Sequence, residues 1–325
     1  MKWVTWEPQK VKARPASRAL DVRVTRARWF SLLATTLCAT VVHGNSTAGG
    51  VVSFAEGDPF TIVRRDTLMS GAQGVALTAG DFLETGPTAF FVVQGPDGSL
   101  IGVGPSTAIY LVERAEIATL FVIRGWVKAD VKAAPMRIIA SRLGIQGHQA
   151  VMVLCADERS SAVFDEQGST TIVLPDTTPM PLSTESGSNH FFQRDDRSDV
   201  VSQPSPSVEF VDKMPLAFRD SLPAYPKLPE PVPPRGLRAV TYPDVEALLT
   251  IPSKWRGGFI GRFRGRLKDP AFFKAMDAHL ALFPEWTPIL HPPPDSESDV
   301  SPDKSLTRST SKQHNSESQQ RDAPP

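Results

Sequence analysis

Between Val51 and Leu174 the chain is a succession of short apolar runs, each four to seven residues long and each stopped by Gly, Pro, Asp or Ser. The first of them are Gly50–Phe54, Phe60–Val63, Ala89–Val93, Leu100–Val103, Ala108–Val112 and Ile117–Ile123. Trp126–Ala129, Met136–Ala140, Val151–Leu154, Ser161–Phe164 and Thr171–Leu174 follow. Rich in β-branched residues and bounded by Asp97-Gly98, Gly104-Pro105, Arg124-Gly125 and Gln167-Gly168, they read as strands joined by tight turns. Roughly ten to twelve short strands with no helical stretch between them predict a mainly β domain: a sandwich, a roll or a solenoid.

Within this region, Gly80-Asp81-Phe82-Leu83-Glu84-Thr85-Gly86 pairs two conformationally free glycines with Asp81 and Thr85, whose side chains can bond neighbouring amides and fix turns. Asp97-Gly98 is a hairpin signal of the primed-turn kind. These are scaffold roles. The heptapeptide resembles the Gly-Asp-x-hydrophobic-x-Thr-Gly entry of the FecR-like domain, named for the ferric-citrate regulator. The next elements come in that family's order: an apolar strand, Asp97-Gly98, a strand ending in Gly104-Pro105-Ser106-Thr107, another strand, then Leu120 to Gly125-Trp126-Val127. The segment Gly50–Val63, with its internal Glu56-Gly57-Asp58, is similar to the opening of the domain. The resemblance covers residues 49–175. Exported relatives of this type are found in cell envelopes, sometimes beside wall-binding modules, and the resemblance implies that setting here. One departure is Gly147-His148, where the family usually has Gly-Thr, so no role of that threonine is carried over. His148 reads as an exposed or satisfied histidine, with a polar contact as the alternative.

The formal net charge of zero hides a segregation. Residues 1–44 carry eight basic side chains against Glu7 and Asp21, a balance of +6 that leaves −6 for the remainder. A mildly acidic body argues against nucleic acid as a partner, because the phosphate backbone demands the opposite sign. Arg23, Arg26 and Arg28 directly precede the apolar run Trp29–Val42, which is short for a membrane span of ~20 residues and suits a signal peptide. Cleavage after Gly44 or Ala48 is expected, which places the protein in the periplasm or outer cell envelope. A buried core helix and an uncleaved anchor are the other readings of the run. The 41% of hydrophobic residues is too little for a polytopic membrane protein. Cys38 and Cys155 exclude a disulfide scaffold and a Cys-rich metal site, and Cys155, inside the run Ala150–Cys155, reads as an inert buried thiol.

Proline is abundant, 30 of 325 residues, and concentrates between 176 and 236 in stretches such as Leu228–Pro234. That segment is expected to be a disordered, extended linker, interrupted by a docking stretch Phe210–Phe218. Residues 293–325 are polar and read as a disordered tail. Between them, 237–292 is expected to be a small α-helical module. Its first helix starts at Tyr242-Pro243 and stops at Pro252. In the second, Trp255, Phe259, Phe263 and Leu267 form an apolar stripe. The third is capped by Asp269, with Phe272, Met276, Leu280 and Phe283 inward. Gly257, Gly258, Gly261 and Gly265 weaken the second helix by ~1 kcal/mol each relative to Ala, so it depends on packing or Gly257-Gly258 breaks it. Docking of the module on the β domain is expected, and His279 reads as a core histidine.

The second helix also carries Lys254, Arg256, Arg262, Arg264, Arg266 and Lys268 without an acid. These six are candidates for contact with an anionic lipid or cell-wall polymer, a protein partner and a plain solvated face being the alternatives. No Gly-x-Ser-x-Gly elbow, phosphate-binding loop or His-Glu-x-x-His pair occurs, and the histidines have no metal spacing. The expectation is therefore an exported, non-catalytic FecR-like envelope protein without cofactor or metal, a binding or assembly module. Its partner is an envelope protein or a cell-wall or anionic surface component. The rival is an inner-membrane regulator of a sigma factor, which needs a cytoplasmic domain before the membrane segment; only 28 residues precede Trp29.

Overall fold

The computed structural model describes residues 49–293 except 114, 116, 176–181, 184–188 and 197, with backbone alone for 182–183. The expected signal segment and polar tail lie outside the described residues. Eight short strands come first: β1 (Gly50–Glu56), β2 (Thr61–Arg64), β3 (Thr67–Ser70), β4 (Ala76–Leu77), β5 (Phe82–Glu84), β6 (Phe90–Gln94), β7 (Leu100–Val103) and β8 (Ala108–Leu111). β9 (Ala118–Val131), β10 (Met136–Ile139), β11 (Gly144–Ala156) and β12 (Ser160–Val173) follow. β13 (Leu182–Ser183), β14 (His190–Asp195), β15 (Val201–Gln203) and β16 (Arg235–Ala239) complete a mainly β architecture.

All described strands belong to one sheet that folds over on itself into two layers. One layer runs β16, β3, β2, β5, β8, the first half of β9, β10, the start of β11 and the end of β12. The other runs β4, β1, β6, β7, the second half of β9, the rest of β11, the start of β12, β14 and β15. Neighbours are antiparallel except β9 with β10. The three long strands turn between layers at left-handed residues: Gly125 (φ 92°) in β9, Gln149 (φ 49°) in β11 and Gly168 (φ 103°) in β12. A Cβ on Gly125 would lie 2.3 Å from Thr107 Oγ1, and one on Gly168 would lie 2.2 Å from the Gln149 carbonyl oxygen. Both glycines are therefore required twice, by backbone angle and by close approach. Arg124-Gly125 and Gln167-Gly168, expected as turns ending strands, are corners inside strands of 14 residues. The register shift at His148–Val151 belongs to the same bend, and His148 is exposed.

Strands in both layers are apolar on both faces. Ile62, Leu83, Phe91, Val93, Ile109, Val122, Val127 and Leu154 point between the layers and form the central core. Their neighbours Val63, Phe82, Tyr110 and Phe121 point out from the first layer, and Phe90, Val92, Val153 and Phe191 from the second. Each outer face needs a cover.

The second layer is covered by the chain expected to be a linker. The described residues of 189–236 are packed and not a free linker: they contribute β14 and β15, then α1 (Val208–Lys213) and α2 (Leu216–Arg219), and lead into β16. The physical reason is a four-residue recurrence of Phe210, Met214, Phe218 and Leu222, all buried against Phe90, Val153 and Phe191. The expected docking of Phe210–Phe218 is thus one part of a longer packed segment. Ser207 caps α1 by accepting from the Phe210 N–H (3.2 Å). Lys128 Nζ, buried beneath α2, donates to the Phe218 and Asp220 carbonyls (2.8 and 3.1 Å) and pairs with Glu166 (2.8 Å).

The first layer is covered by the helical module, built of α3 (Glu246–Leu249), α4 (Phe259–Phe263), α5 (Pro270–Ala278), α6 (Thr287–Leu290) and intervening single 3-10 turns. The expected second helix is interrupted at Gly257-Gly258, leaving a 3-10 turn at Ser253–Trp255 and the short α4. Phe259 and Phe263 remain buried, and Phe259 meets Tyr110 edge-to-face at 5.5 Å. Asp269 caps α5 by accepting from the Ala271 N–H (3.0 Å), with Phe272 and Met276 buried beneath. His279 stacks on Tyr242 at 5.1 Å and its Nδ1 meets the Ala275 carbonyl at 2.8 Å, as a satisfied core histidine does.

The corner argument is testable. Gly168→Ala should lower stability by at least ~2 kcal/mol, from left-handed strain plus displaced backbone. Gly236→Ala has its nearest contact at 3.9 Å and should stay within ~0.5 kcal/mol of the parent in urea unfolding.

Candidate functional site

The six basic residues between 254 and 268 do not form one charged face. Arg262 folds inward and donates from Nε to the Arg65 carbonyl (2.5 Å), from Nη1 to the Gly80 carbonyl (2.7 Å) and from Nη2 to the Val63 carbonyl (2.7 Å). Burial pushes its pKa down, partly offset by the charges of acidic neighbours, Glu113, Asp81 and Asp66. Arg256 donates to the Leu249 carbonyl (2.8 Å) and pairs with Glu285 (3.1 Å). Arg266 donates to the Val240 carbonyl (2.9 Å) and pairs with Asp269 (2.7 Å). Lys254 donates to the Pro175 carbonyl. Arg264 and Lys268 are exposed. The expected anionic-surface contact is therefore not one contiguous face of all six: Arg262 fastens the module to the sandwich, Arg256 and Arg266 brace the module internally, and guanidinium groups so engaged are not free to meet a lipid or polymer.

Arg262 forms one wall of a polar groove of ≈950 Å³ between the β2–β3 turn, the Thr78–Asp81 loop, the end of β8 and α4. The Gly-Asp motif lies here. Gly80 is left-handed (φ 90°), whereas Gly86 is not. Asp81 is buried, accepts the Thr78 N–H at 2.8 Å and takes a two-pronged bond from Arg64 at 2.8 and 2.6 Å. That bond holds the Arg64 pKa above its ordinary value. Thr85 works at longer range than expected: its Oγ1 accepts the Thr107 N–H (2.7 Å) and donates to the Gly104 carbonyl (2.8 Å). Tyr110 is pushed up, first by burial and then by the Glu113 charge, so its phenol stays protonated. The paired charges make this groove a structural joint.

A second depression differs in kind. At the end of the sandwich where Gly49 enters, an apolar cleft of ≈160 Å³ opens between the layers, lined by Leu77, Val93, Ile101, Ile109, Leu111 and Met136. Its lip is the β6–β7 hairpin, Gly95–Ser99. Only Gly98 is left-handed there (φ 82°) and its N–H donates to the Gly95 carbonyl, so the turn is not the primed two-residue form expected. The Asp97 carboxylate accepts from the Ser99 N–H (3.0 Å), the Ser99 hydroxyl (2.8 Å) and the Ala134 N–H (3.4 Å). Burial alone would raise its pKa; those hydrogen bonds outweigh it and hold the pKa low, so the clamp stays ionised. Ser99 in turn accepts the Lys132 N–H at 2.9 Å, tying the hairpin to the β9–β10 loop. A volume near the ~150 Å³ of cavities known to take up benzene suits one apolar side chain. Sequence reasoning missed this cleft because its lining comes from separate strands; Asp97-Gly98 was the one local signal.

Cys155 is half-buried, and its pKa is pushed up to about 12 by burial and then by Asp157. Its thiol stays protonated and inert. Among the described residues, no group of three His, Cys, Asp or Glu side chains is placed to hold a metal, and no helix is long and apolar enough to cross a membrane.

Comparison with known proteins adds little to this geometry. No protein-family model matches the chain, and no curated protein matches it. Two crystal structures of a "putative anti-sigma factor from Parabacteroides distasonis", at 1.65 and 2.50 Å, align with 14% identity and TM-scores of 0.33 and 0.32. The aligned part is 38% of this chain and 59% of theirs, and a likeness this slight carries no argument about fold or role.

The inward arginine makes a measurable prediction. Arg262→Met strips three carbonyls of their donor and should cost about 2–4 kcal/mol in denaturant unfolding. The double change Arg264→Gln with Lys268→Gln should alter stability by no more than ~0.5 kcal/mol.

Proposed function

We propose that this protein is an exported, non-catalytic binding or assembly module of the FecR-like kind, working at the bacterial cell envelope. Its partner is an envelope protein, held through one apolar side chain seated in the cleft between the layers. The observation that supports this most is the cleft itself. Protein interiors close up around apolar voids, and a vacant apolar space costs stability in proportion to its volume. Here a hydrogen-bonded Asp97–Ser99 clamp fixes the lip of the space. A preformed apolar hollow with a rigid polar rim is the form that binding sites take. The FecR-like reading draws on the ordered motifs between Gly50 and Val127, whose Asp81 and Thr85 are buried scaffold groups. Export draws on the arginines before Trp29 and the apolar run that follows. The dispersal of the basic residues moves the weight from an anionic surface to a protein partner.

Two measurements test the reading. Fractionation with intact-mass analysis should find a soluble periplasmic or outer-envelope species beginning near Asn45 or Gly49. A full-length inner-membrane species would overturn export and favour the sigma-factor regulator. For the cleft, titration with benzene should shift the methyl resonances of Ile101, Ile109, Leu111 and Met136 with millimolar affinity. Ala118 also lines the cleft, and Ala118→Leu, which fills it, should remove that response; parent protein that gives none would sink the cleft as a binding site.

A further inference from the structure

Among the described residues, the half-buried arginines are almost all engaged. Arg64 holds Asp81, Arg137 holds Gln146, Arg256 holds Glu285, Arg266 holds Asp269, and Arg262 and Arg194 donate to backbone carbonyls. Arg142 is the exception. It sits in the tight β10–β11 turn, closed by the Ala140 N–H donating to the Leu143 carbonyl at 2.9 Å. Its own carbonyl is pinned by Arg194 Nη1 at 3.1 Å, so the backbone that carries it is fixed. Its guanidinium, however, has no hydrogen bond or ion pair among the described residues, and its Nε is buried without an acceptor. A buried donor that gives up water and gains nothing is costly, and such an atom calls for an explanation.

The surroundings suggest one. Arg142 lines a groove of ≈530 Å³ between the sandwich and residues 247–252 of the helical module. Phe121, Ile123 and Ile251 give the groove an apolar floor. Asp157 and Glu158 lie on its rim. Asp157 cannot turn to Arg142, because its carboxylate is taken by the Arg159 N–H (2.8 Å), the Ser160 N–H (2.6 Å) and the Ser160 hydroxyl (2.8 Å). Arg124, also on the rim, is held by Glu84 at 2.6 Å. The groove thus offers one uncommitted fork of N–H donors beside an apolar surface, under a rim of mixed sign.

We infer that this groove receives a peptide segment in which a carboxylate stands beside an apolar side chain. The planar guanidinium matches a carboxylate with two parallel bonds, and Phe121, Ile123 and Ile251 take the neighbouring side chain. The acids on the rim repel a densely anionic ligand, which disfavours a lipid surface or a polyphosphate relative to a single carboxylate. The carboxylate comes either from an acidic residue or from a chain terminus. This site is separate from the apolar cleft, so either can fail without the other.

Titration calorimetry and the Arg142 Nε–H resonance of the purified protein test the inference. The probes are acetyl-Gly-Leu-Phe as the free acid, the same peptide as its amide, and acetyl-Gly-Phe-Glu-Leu-amide. At least one acid-bearing probe should bind about tenfold more tightly than the uncharged amide and shift the resonance. Preference for the first acid assigns a chain terminus; preference for the second assigns an acidic side chain. Arg142→Gln, which removes no intramolecular bond, should keep the melting temperature and lose the preference, with amide binding unchanged. Arg142→Lys should recover part of it. Equal binding of acid and amide, no binding of any probe, a preference that survives Arg142→Gln, or displacement of the peptides by inorganic phosphate or phosphatidylglycerol vesicles would each overturn the inference.

Discussion

Three strands of this protein pass from one layer to the other without ending, and the arrangement depends on how they bend. A strand can change layer while keeping its ladder only where one residue abandons the extended region, and the local crowding decides which residue that is. At Gly125 the neighbouring Thr107 backbone leaves no room for a Cβ, and at Gly168 the Gln149 carbonyl does the same. The corners of β11 and β12 therefore pack on one another, and the position of one fixes the other. With these bends set, Val127 and Ala129 face the same core as Leu120 and Val122, although they belong to the other layer.

The double-sided apolar character of the strands is the second constraint. A sandwich with polar outer faces needs nothing more than its two sheets. This one turns Phe82, Tyr110 and Phe121 outward on one side and Phe90, Val153 and Phe191 on the other, and the segments 240–290 and 210–222 cover them. Polar side chains secure the covers to the sheets. Lys128 reaches out of the second layer to the carbonyls beneath α2, and Arg262 reaches from α4 into the first layer. The cation comes once from the sheet and once from the cover. In both cases the acceptors include main-chain oxygens.

That choice of acceptor explains how the sequence was legible and where it was not. Turn residues and β-branched runs announced a β-rich domain, because they act locally. A glycine within a bent strand and a glycine that ends one look alike in one dimension, which is why Gly125 and Gly168 were read as turns. The prolines of 189–236 drew attention away from the spacing of Phe210, Met214, Phe218 and Leu222, four residues apart and each buried. Continuous apolar runs such as Phe90–Val93 already signalled two covered faces, but that signal was not used. The charge between 254 and 268 was plain; its inward direction was not, since the carbonyls that receive Arg256, Arg262 and Arg266 leave no mark in the amino-acid order. Arg142 gave no local sign at all, being one basic residue in a hairpin.

The two covers lie late in the chain, and that has a consequence for how the molecule is made. β3 waits for β16, which lies more than 160 positions further on, to complete its edge. Until α1 and α2 emerge, a chain growing from its N-terminus holds a sheet with aromatic residues on both outer surfaces, and until the helical module emerges the first layer stays bare. Non-local pairing of this sort is slow, and exposed apolar strands invite association with other chains. The interval before these two covers emerge is therefore the one in which the nascent protein most needs a chaperone. A premature stop anywhere before them would yield a sticky fragment, whatever the soundness of the sheet already formed.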